Sequence, residues 1–182
     1  DLAPGGYLSF SSAQTAQLGA GIYADGNVYL AFAPDGKKAA YIDNLIAGTG
    51  QDTINGNNWK NVIDGKGGKD LIYGHGGEDI IFGSGGSDTI YGGAGDDWIS
   101  GGIGRDFLKG NGGADTFFFD ERSNKDVIKD FELFVDHIEV PDNAQATLIV
   151  SNTGHLTVEY NGAWMILRGF DAGDATLGDL LA

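Results

Sequence analysis

Seven aspartates follow a nine-residue spacing through the middle of this 182-residue chain. They are Asp52, Asp70, Asp79, Asp88, Asp97, Asp106 and Asp115, and Asn61 fills the one place in the series where an aspartate is absent. Carboxylate and amide oxygens are ligands of hard cations such as Ca²⁺ and Mg²⁺. A series this regular predicts repeated structural cation sites in place of a single catalytic centre.

The aspartates belong to eight nonapeptides that follow one another without insertion over residues 47–118. Positions one and four are glycine in 14 of 16 cases, position six carries the aspartate, and position eight is always apolar. This block holds 21 of the 32 glycines in the chain. Such agreement indicates a true repeat, and the repeat must therefore determine the architecture.

Each nonapeptide divides into a glycine-rich turn and a short strand. Six residues with this much glycine lack the side chains for a core and adopt positive φ freely, so they predict a turn. The last three residues have an apolar centre and predict a strand whose central side chain points inward. Two nonapeptides form one 18-residue coil, and stacked coils form two parallel sheets around a thin, isoleucine-rich core.

Stacking of the coils places position six of every second repeat in one column. One column holds Asp52, Asp70, Asp88 and Asp106, and the other holds Asn61, Asp79, Asp97 and Asp115. Neighbouring carboxylates in a column repel each other unless a cation lies between them. Ca²⁺ accepts carboxylate and backbone carbonyl oxygens in flexible geometry, whereas Mg²⁺ demands a strict octahedron and Zn²⁺ prefers His or Cys. The columns therefore predict calcium.

The nonapeptides at residues 92–109 are similar to the GGxGxDxUx pattern of the repeats-in-toxin (RTX, hemolysin-type) calcium-binding family. The resemblance implies an all-β fold, a parallel β-roll, with one Ca²⁺ between successive turns on each edge. It implies about six ions, held by the pairs Asp52/Asp70, Asn61/Asp79, Asp70/Asp88, Asp79/Asp97, Asp88/Asp106 and Asp97/Asp115.

The turn glycines are expected to bring backbone carbonyls to these ions. They are Gly50, Gly65, Gly68, Gly74, Gly77, Gly83, Gly86, Gly92, Gly95, Gly101, Gly104, Gly110 and Gly113. The repeat of Asn61 departs from the family pattern twice, because Trp59 also replaces a turn glycine there.

The residues before the repeats predict a lead-in to the roll. Residues 38–46 keep the nine-residue frame without glycine, so the roll is expected to span 38–118, and Asp43 is a candidate extra ligand opposite Asn61. Residues 1–37 contain strand-like runs at 7–10, 22–24 and 28–32. These runs belong either to an upstream domain or to a small β cap on the open end of the roll.

Residues 119–182 are similar to the cap and the C-terminal secretion signal of the same family. Apolar residues between 126 and 140, among them Phe131 and Phe134, are expected to cover the end of the roll. Three strands are predicted after them, at 147–150, 156–160 and 164–168. Asp126, Asp130 and Asp136 are either further calcium ligands or solvated surface carboxylates.

Composition and missing motifs exclude several classes of protein. The chain has no cysteine, which rules out disulfides and thiolate metal sites. Its formal net charge of −15 argues against nucleic-acid binding, and no apolar run approaches the roughly 18 residues of a membrane span. Neither HExxH nor GxSxG occurs, so no enzyme active site is expected in this chain.

We therefore expect the C-terminal calcium-binding module of a protein that a Gram-negative bacterium exports through type I secretion machinery. In this hypothesis the chain is unfolded where Ca²⁺ is scarce, folds on Ca²⁺ outside the cell, and templates its parent's upstream domain. Two alternatives stay open. One is a polysaccharide-binding accessory or adhesin module that uses Trp59 or the cationic cluster Lys60, Lys66, Lys69 and His75. The other is a fragment of a secreted enzyme whose catalytic domain lies upstream.

Overall fold

The computed structural model describes residues 8–9, 16–17, 23–24, 27–29, 44–141, 146–150, 156–168 and 176–180. Within these ranges the chain is built from short strands, with one four-residue helix, α1 (Leu177–Leu180). No helix in the described part is long and apolar enough to cross a membrane.

Seven strands form the first sheet, and all neighbours in it are parallel. In spatial order they are β1 (Leu8–Ser9), β5 (Asn44–Ile46), β7 (Val62–Asp64), β10 (Ile80–Phe82), β13 (Trp98–Ser100), β16 (Thr116–Phe118) and β18 (His137–Glu139). The second sheet has nine strands. They run β4 (Asn27–Tyr29), β6 (Thr53–Asn55), β9 (Leu71–Gly76), β12 (Thr89–Ala94), β15 (Phe107–Gly112), β17 (Lys125–Ile128), β21 (Ala163–Leu167), β20 (Leu156–Tyr160) and β19 (Ala146–Val150).

Two smaller sheets complete the described strands. Turn residues pair in parallel as β8 (Gly67–Gly68), β11 (Gly85–Gly86) and β14 (Ile103–Gly104). Near the N-terminus β2 (Ala16–Gln17) pairs antiparallel with β3 (Tyr23–Ala24). The predicted all-β parallel β-roll is confirmed.

Between the repeat strands, the register of both large sheets advances by one 18-residue coil per strand. Ile81 pairs with Ile63 and Ile99 in the first sheet, and Ile90 pairs with Ile72 and Leu108 in the second. All position-eight side chains are fully buried and form one stack: Ile54, Ile63, Ile72, Ile81, Ile90, Ile99, Leu108 and Phe117. The alternation of side chains along a strand sends the central residue inward and its neighbours outward, as predicted.

Strand length is the main difference from the prediction. Strands β9, β12 and β15 are six residues long, because the pairing continues beyond position nine into the following turn. Position two of the nonapeptide takes positive φ in the last six repeats, with values of 68° at Lys66, 79° at His75 and 73° at Ser84. At position four, a side chain on Gly86 (φ 142°) would collide with the carbonyl oxygen of Gly68. At Gly86 the coils therefore stack too closely for any residue but glycine.

Strands outside the repeats extend both sheets. At the N-terminal end β1 pairs in parallel with β5, and β4 pairs in parallel with β6. At the other end β17 pairs in parallel with β21, which begins the antiparallel set β21–β20–β19. The turn between β20 and β21 has positive φ at both Asn161 and Gly162, as a two-residue hairpin requires.

The cap covers the end of the core with only some of the predicted residues. Phe119, Phe131 and Ile138 are buried in the core cluster, but Phe134 is 73% exposed. The expectation that Phe134 covers the roll is therefore wrong. It lies in the turn at 133–135 with φ of 67°, and its side chain points to solvent.

Candidate calcium sites

Backbone hydrogen bonds join the position-six residues into the two predicted columns. In each column the N–H of one residue donates to Oδ1 of the aspartate 18 residues later. The bonds are Asp52 to Asp70, Asp70 to Asp88 and Asp88 to Asp106, all at 2.8 Å, then Asn61 to Asp79 at 2.7 Å, Asp79 to Asp97 at 2.8 Å and Asp97 to Asp115 at 2.9 Å. Both columns run along the roll, and every one of these position-six side chains is buried.

The second carboxylate oxygen has no such partner in the middle of the roll. Oδ2 is buried and accepts no hydrogen bond at Asp70, Asp79, Asp88, Asp97 and Asp106. A buried polar atom is normally paired, and a buried, unpaired carboxylate oxygen is costly. A row of such oxygens at regular intervals therefore fits a row of cations.

The position-one glycines create the space beside these oxygens. A Cβ on Gly65 would lie 2.7 Å from Oδ2 of Asp70 and 2.9 Å from the carbonyl oxygen of Gly83. A Cβ on Gly83 would likewise lie 2.7 Å from Oδ2 of Asp88 and 2.6 Å from the carbonyl oxygen of Gly101. Carboxylate and carbonyl oxygens thus converge on the same small volume, which is the donor set that Ca²⁺ takes.

The remaining predicted glycines divide between two places. Those at position one lie against Oδ2 of the aspartate five residues later: Gly65, Gly74, Gly83, Gly92, Gly101 and Gly110. Those at position four stack on the backbone of the position-four residue one coil earlier: Gly68, Gly77, Gly86, Gly95, Gly104 and Gly113. Gly50 begins that stack, because its carbonyl oxygen faces Gly68. No three acidic or histidine side chains of the described residues converge as a metal cluster, so backbone carbonyls would have to supply much of any oxygen shell.

Burial changes the acidity of the column carboxyls. It raises the pKa of Asp70 and Asp79 to about 6, and that of Asp88 and Asp97 to about 7. Negative neighbours in the same column, such as Asp106 and Asp70 beside Asp88, raise the pKa further. A bound divalent cation reverses this effect, because it favours the ionised form.

The first repeats satisfy their position-six side chains differently. Oδ2 of Asp52 accepts a hydrogen bond from the N–H of Gly48 at 3.2 Å, and Oδ1 of Asn61 accepts one from the N–H of Asn57 at 2.8 Å. Backbone donors therefore occupy oxygens that are unpaired in the middle of the roll. The candidate ligand Asp43 lies outside the described residues.

Both columns continue into the cap, which the nine-residue spacing did not predict. The N–H of Asp106 donates to Oδ1 of Asp126 at 2.9 Å, and the N–H of Asp115 donates to Oδ1 of Asp136 at 3.0 Å. These steps cover 20 and 21 residues, so a fixed nine-residue spacing misses them. The local signal was the sequence Asp-x-Ile at 126–128 and 136–138, which repeats positions six to eight of the nonapeptide.

The alternative that the cap aspartates are solvated surface carboxylates is wrong for Asp126 and Asp136, which are 0% and 3% exposed. Oδ2 of Asp126 is buried without a partner, like the oxygens in the middle of the roll. Oδ2 of Asp136 accepts a hydrogen bond from the N–H of Glu132 at 2.8 Å. Asp130 is half-buried, with Oδ1 unpaired and Oδ2 accepting the N–H of Asn111 at 3.1 Å.

Comparison with protein families identifies the repeats. The RTX calcium-binding nonapeptide repeat matches residues 39–58, 60–90 and 91–121. Within these residues the chain carries RTX calcium-binding repeats. The repeats of this family are a structural module that binds Ca²⁺, and the buried aspartates described above fit that role. No curated protein matches the chain in sequence.

Two solved structures resemble this RTX β-roll. The extracellular lipase LipA from Serratia marcescens is 15% identical, with a TM-score of 0.35 over 76% of this chain and 40% of the lipase. The AlgE6R3 subunit from the Azotobacter vinelandii mannuronan C5-epimerase is 20% identical, with a TM-score of 0.25 over 74% of this chain and 80% of the subunit. The chain therefore spans less than half the length of the lipase.

Outward aromatic residues of the repeats pack against one another on the sheet faces. Trp98 packs between Phe82 and Phe118, with ring centroids 5.2 Å from each, and its Nε1 donates to Glu139. The rings of Tyr73 and Tyr91 are stacked 4.9 Å apart. These rings cover one another, which agrees with aromatic residues that stabilise a sheet face. Within the cationic cluster of Lys60, Lys66, Lys69 and His75, Lys66 is paired with Asp64 at 2.7 Å, which is typical of a solvated, charge-balanced edge.

Proposed function

We propose that this calcium-binding β-roll folds only when Ca²⁺ loads its columns, and that the folded roll stabilises or templates the protein to which it belongs. The observation that carries the proposal is the row of buried, unpaired Oδ2 atoms along both columns. Without a cation, folding would bury these charges with no compensation. With Ca²⁺, the free energy of binding becomes free energy of folding.

The core supports this proposal because it is thin. Each coil contributes two inward position-eight side chains, whereas its turns must order several glycines. Glycine loses more conformational freedom on folding than any other residue, so the turns are entropically expensive. Ions that bind the turns directly would offset that cost where it arises.

We propose ions at the sites with an unpaired Oδ2, which are those of Asp70, Asp79, Asp88, Asp97 and Asp106. A Cβ on Gly110 would collide with Oδ2 of Asp115, which supports a further site one step later in the second column. Asp126 adds a site where the first column enters the cap, whereas the N–H bond from Glu132 would close the second column at Asp136.

Export would use the same dependence on calcium. RTX repeats occur in proteins that type I systems secrete. We therefore infer that this chain is located outside the cell or on the cell surface of a Gram-negative bacterium. A chain that is unfolded where Ca²⁺ is scarce can pass a secretion channel, and millimolar Ca²⁺ outside would then load sites of modest affinity. The parallel pairing of β1 and β4 with the repeat strands supports residues 1–37 as a β cap that joins the roll to preceding sequence. Any catalytic domain of a parent enzyme would then lie upstream.

Far-ultraviolet circular dichroism of the chain in EGTA, in Mg²⁺ and in Ca²⁺ tests calcium-coupled folding. We expect a disordered spectrum in EGTA and in Mg²⁺, and a cooperative gain of β signal with Ca²⁺. A β spectrum in EGTA at neutral pH that Ca²⁺ leaves unchanged would refute the proposal. Isothermal titration calorimetry on the same samples counts the ions and checks the site assignment.

A further inference from the structure

One face of the nine-stranded sheet is strongly cationic in an otherwise acidic protein. Five cationic residues occur on or beside the neighbouring strands β15, β17 and β21: Arg105, Lys109, Lys125, Lys129 and Arg168. Arg105 and Lys109 are four residues apart, as are Lys125 and Lys129, and an even spacing places both members of each pair on one face of the sheet. Because the chain carries −15 in total, the residues outside this group carry −20 (−15 minus +5). We call this face the cationic grid.

The register of the strands arranges the grid in rows. Phe107 pairs with Val127, and Val127 pairs with Ile166, which sets the central apolar row. One step further, the N–H of Lys129 donates to Leu108 and that of Arg168 donates to Ile128. Lys109, Lys129 and Arg168 therefore form a row of like charges on three adjacent strands, about 4.8 Å apart. Like charges opposite each other destabilise a sheet.

Nothing in the described part of the chain neutralises this row. The two ion pairs among the described residues are Lys66 with Asp64 and Arg122 with Asp120, and neither involves the grid. Instead, aromatic rings hold the cations in place. The Lys129 ammonium lies 4.9 Å from the centroid of Phe107, and that of Lys125 lies 6.0 Å from the centroid of Trp164. An acidic residue, Glu159, adjoins the grid on the next strand, β20, where it pairs with Trp164 of β21.

We propose that the cationic grid binds a short stretch of an acidic polysaccharide, with uronate carboxylates along the row Lys109–Lys129–Arg168. A sugar chain is narrow and can lie on three strands, whereas a bilayer surface is broad and would also meet the acidic surroundings of the grid. Phe107 and Trp164 are 37% and 43% exposed and offer apolar area for sugar C–H groups. The cations, already positioned over rings, lose little further freedom on binding.

This proposal rests on the proposed calcium-dependent folding, because the grid forms only when the strands of the roll pair. It is tested with the full chain in Ca²⁺, after circular dichroism has shown that each variant is folded. Isothermal titration with oligogalacturonate is the binding assay, and a neutral malto-oligosaccharide of equal length is the ligand control. The test variant is Lys125→Gln/Lys129→Gln. The matched control is Lys60→Gln/Lys69→Gln, which removes the same charge from the cationic cluster of Lys60, Lys66, Lys69 and His75.

We expect saturable binding of oligogalacturonate that the grid variant weakens about tenfold, the effect of two modest charge contacts. The control variant should bind like the unmodified chain. Loss of binding in both variants would instead indicate a general charge effect, and unchanged affinity in both would indicate Ca²⁺ bridging at another surface. Either result overturns the proposal, as does a folded chain that ignores oligogalacturonate but binds phosphatidylglycerol vesicles. Failure to fold in Ca²⁺ would contradict the calcium proposal instead.

Discussion

The column aspartates in the middle of the roll and those at its ends differ in the hydrogen bonding of Oδ2. In the middle, Oδ2 of Asp88 and Asp97 is buried without a partner. At the ends, the equivalent oxygens accept N–H groups: Asp52 from Gly48, and Asp136 from Glu132. An end coil has free backbone donors that can turn towards the carboxylate, whereas the N–H groups of a central coil are used by the coils on both sides. This difference underlies our proposal that a cation replaces the missing N–H donors in the middle of the roll.

The largest test of this comparison is the pH dependence of the calcium-free chain. Burial raises the pKa of Asp70 and Asp79 to about 6 and that of Asp88, Asp97 and Asp115 to about 7. The folded state thus binds more protons than the unfolded state between about pH 4 and pH 7, so its stability must fall as pH rises. We expect the calcium-free chain to gain β signal in circular dichroism when pH is lowered from about 8 to about 5.

Salt provides the control for this pH effect. Salt at about pH 8 screens the net charge of the exposed surface but not the burial of the column carboxyls, so it should restore little β signal. The calcium-loaded chain should show the opposite pH trend, because protons compete with Ca²⁺ for the carboxylates. A calcium-free chain that loses β signal between pH 8 and pH 5 would contradict the burial of these carboxyls.

Substitution in the middle should cost far more than substitution at an end. Asp88→Asn keeps an oxygen for the N–H of Asp70 but removes the charge that faces the proposed ion. We expect a loss of about 3 kcal/mol in the free energy of unfolding in Ca²⁺, the scale for removing one partner of a buried ionic contact. Asp52→Asn keeps a similar oxygen for Gly48 and should cost less than about 1 kcal/mol. Urea titrations in Ca²⁺ measure both, and equal losses would remove the distinction between middle and end.

Asn61→Asp should convert an end position towards a middle one. The new carboxylate would face Asp79, to which the N–H of Asn61 already donates. In Ca²⁺ we expect stabilisation of roughly 1 kcal/mol and a lower calcium midpoint, and in EGTA a similar destabilisation by repulsion. Calcium titrations followed by circular dichroism at matched pH test this reversal of sign. A change of the same sign in both conditions would show that no ion lies between these positions.

Phe134→Gly should produce the smallest effect and concerns the cap alone. Phe134 has φ of 67° and an exposed side chain, so glycine relieves backbone strain and removes little packing. We expect stabilisation of about 0.5 to 1 kcal/mol in thermal or urea unfolding, without a change in the number of ions bound. Asn161→Gly, at φ of 49° in the hairpin turn, is a control that should gain less, because asparagine tolerates this region well. Destabilisation of the cap by Phe134→Gly would indicate that the ring packs on something in solution.

Much of the roll could be predicted because the repeat is local. The inward position of Ile81 and the stacking of Asp70 on Asp88 both follow from a nine-residue period and the alternation of a strand. The same reasoning left two roles open for Asp126 and Asp136, because the cap reaches the columns through loops that lengthen the spacing to 20 and 21 residues. It also wrongly predicted that Phe134 is buried, since hydrophobicity does not show which way a turn directs a side chain.

The sequence by itself determined the coil, its core and the columns, since each depends on residues within one or two repeats. Only the tertiary structure decided which carboxylate oxygens are left unpaired, because a partner N–H comes from whichever backbone lies free beside it. The cationic grid is likewise a product of the tertiary structure. Its residues, at 105–109, 125–129 and 164–168, have no common period in the chain, and only the pairing of β15, β17 and β21 brings them together.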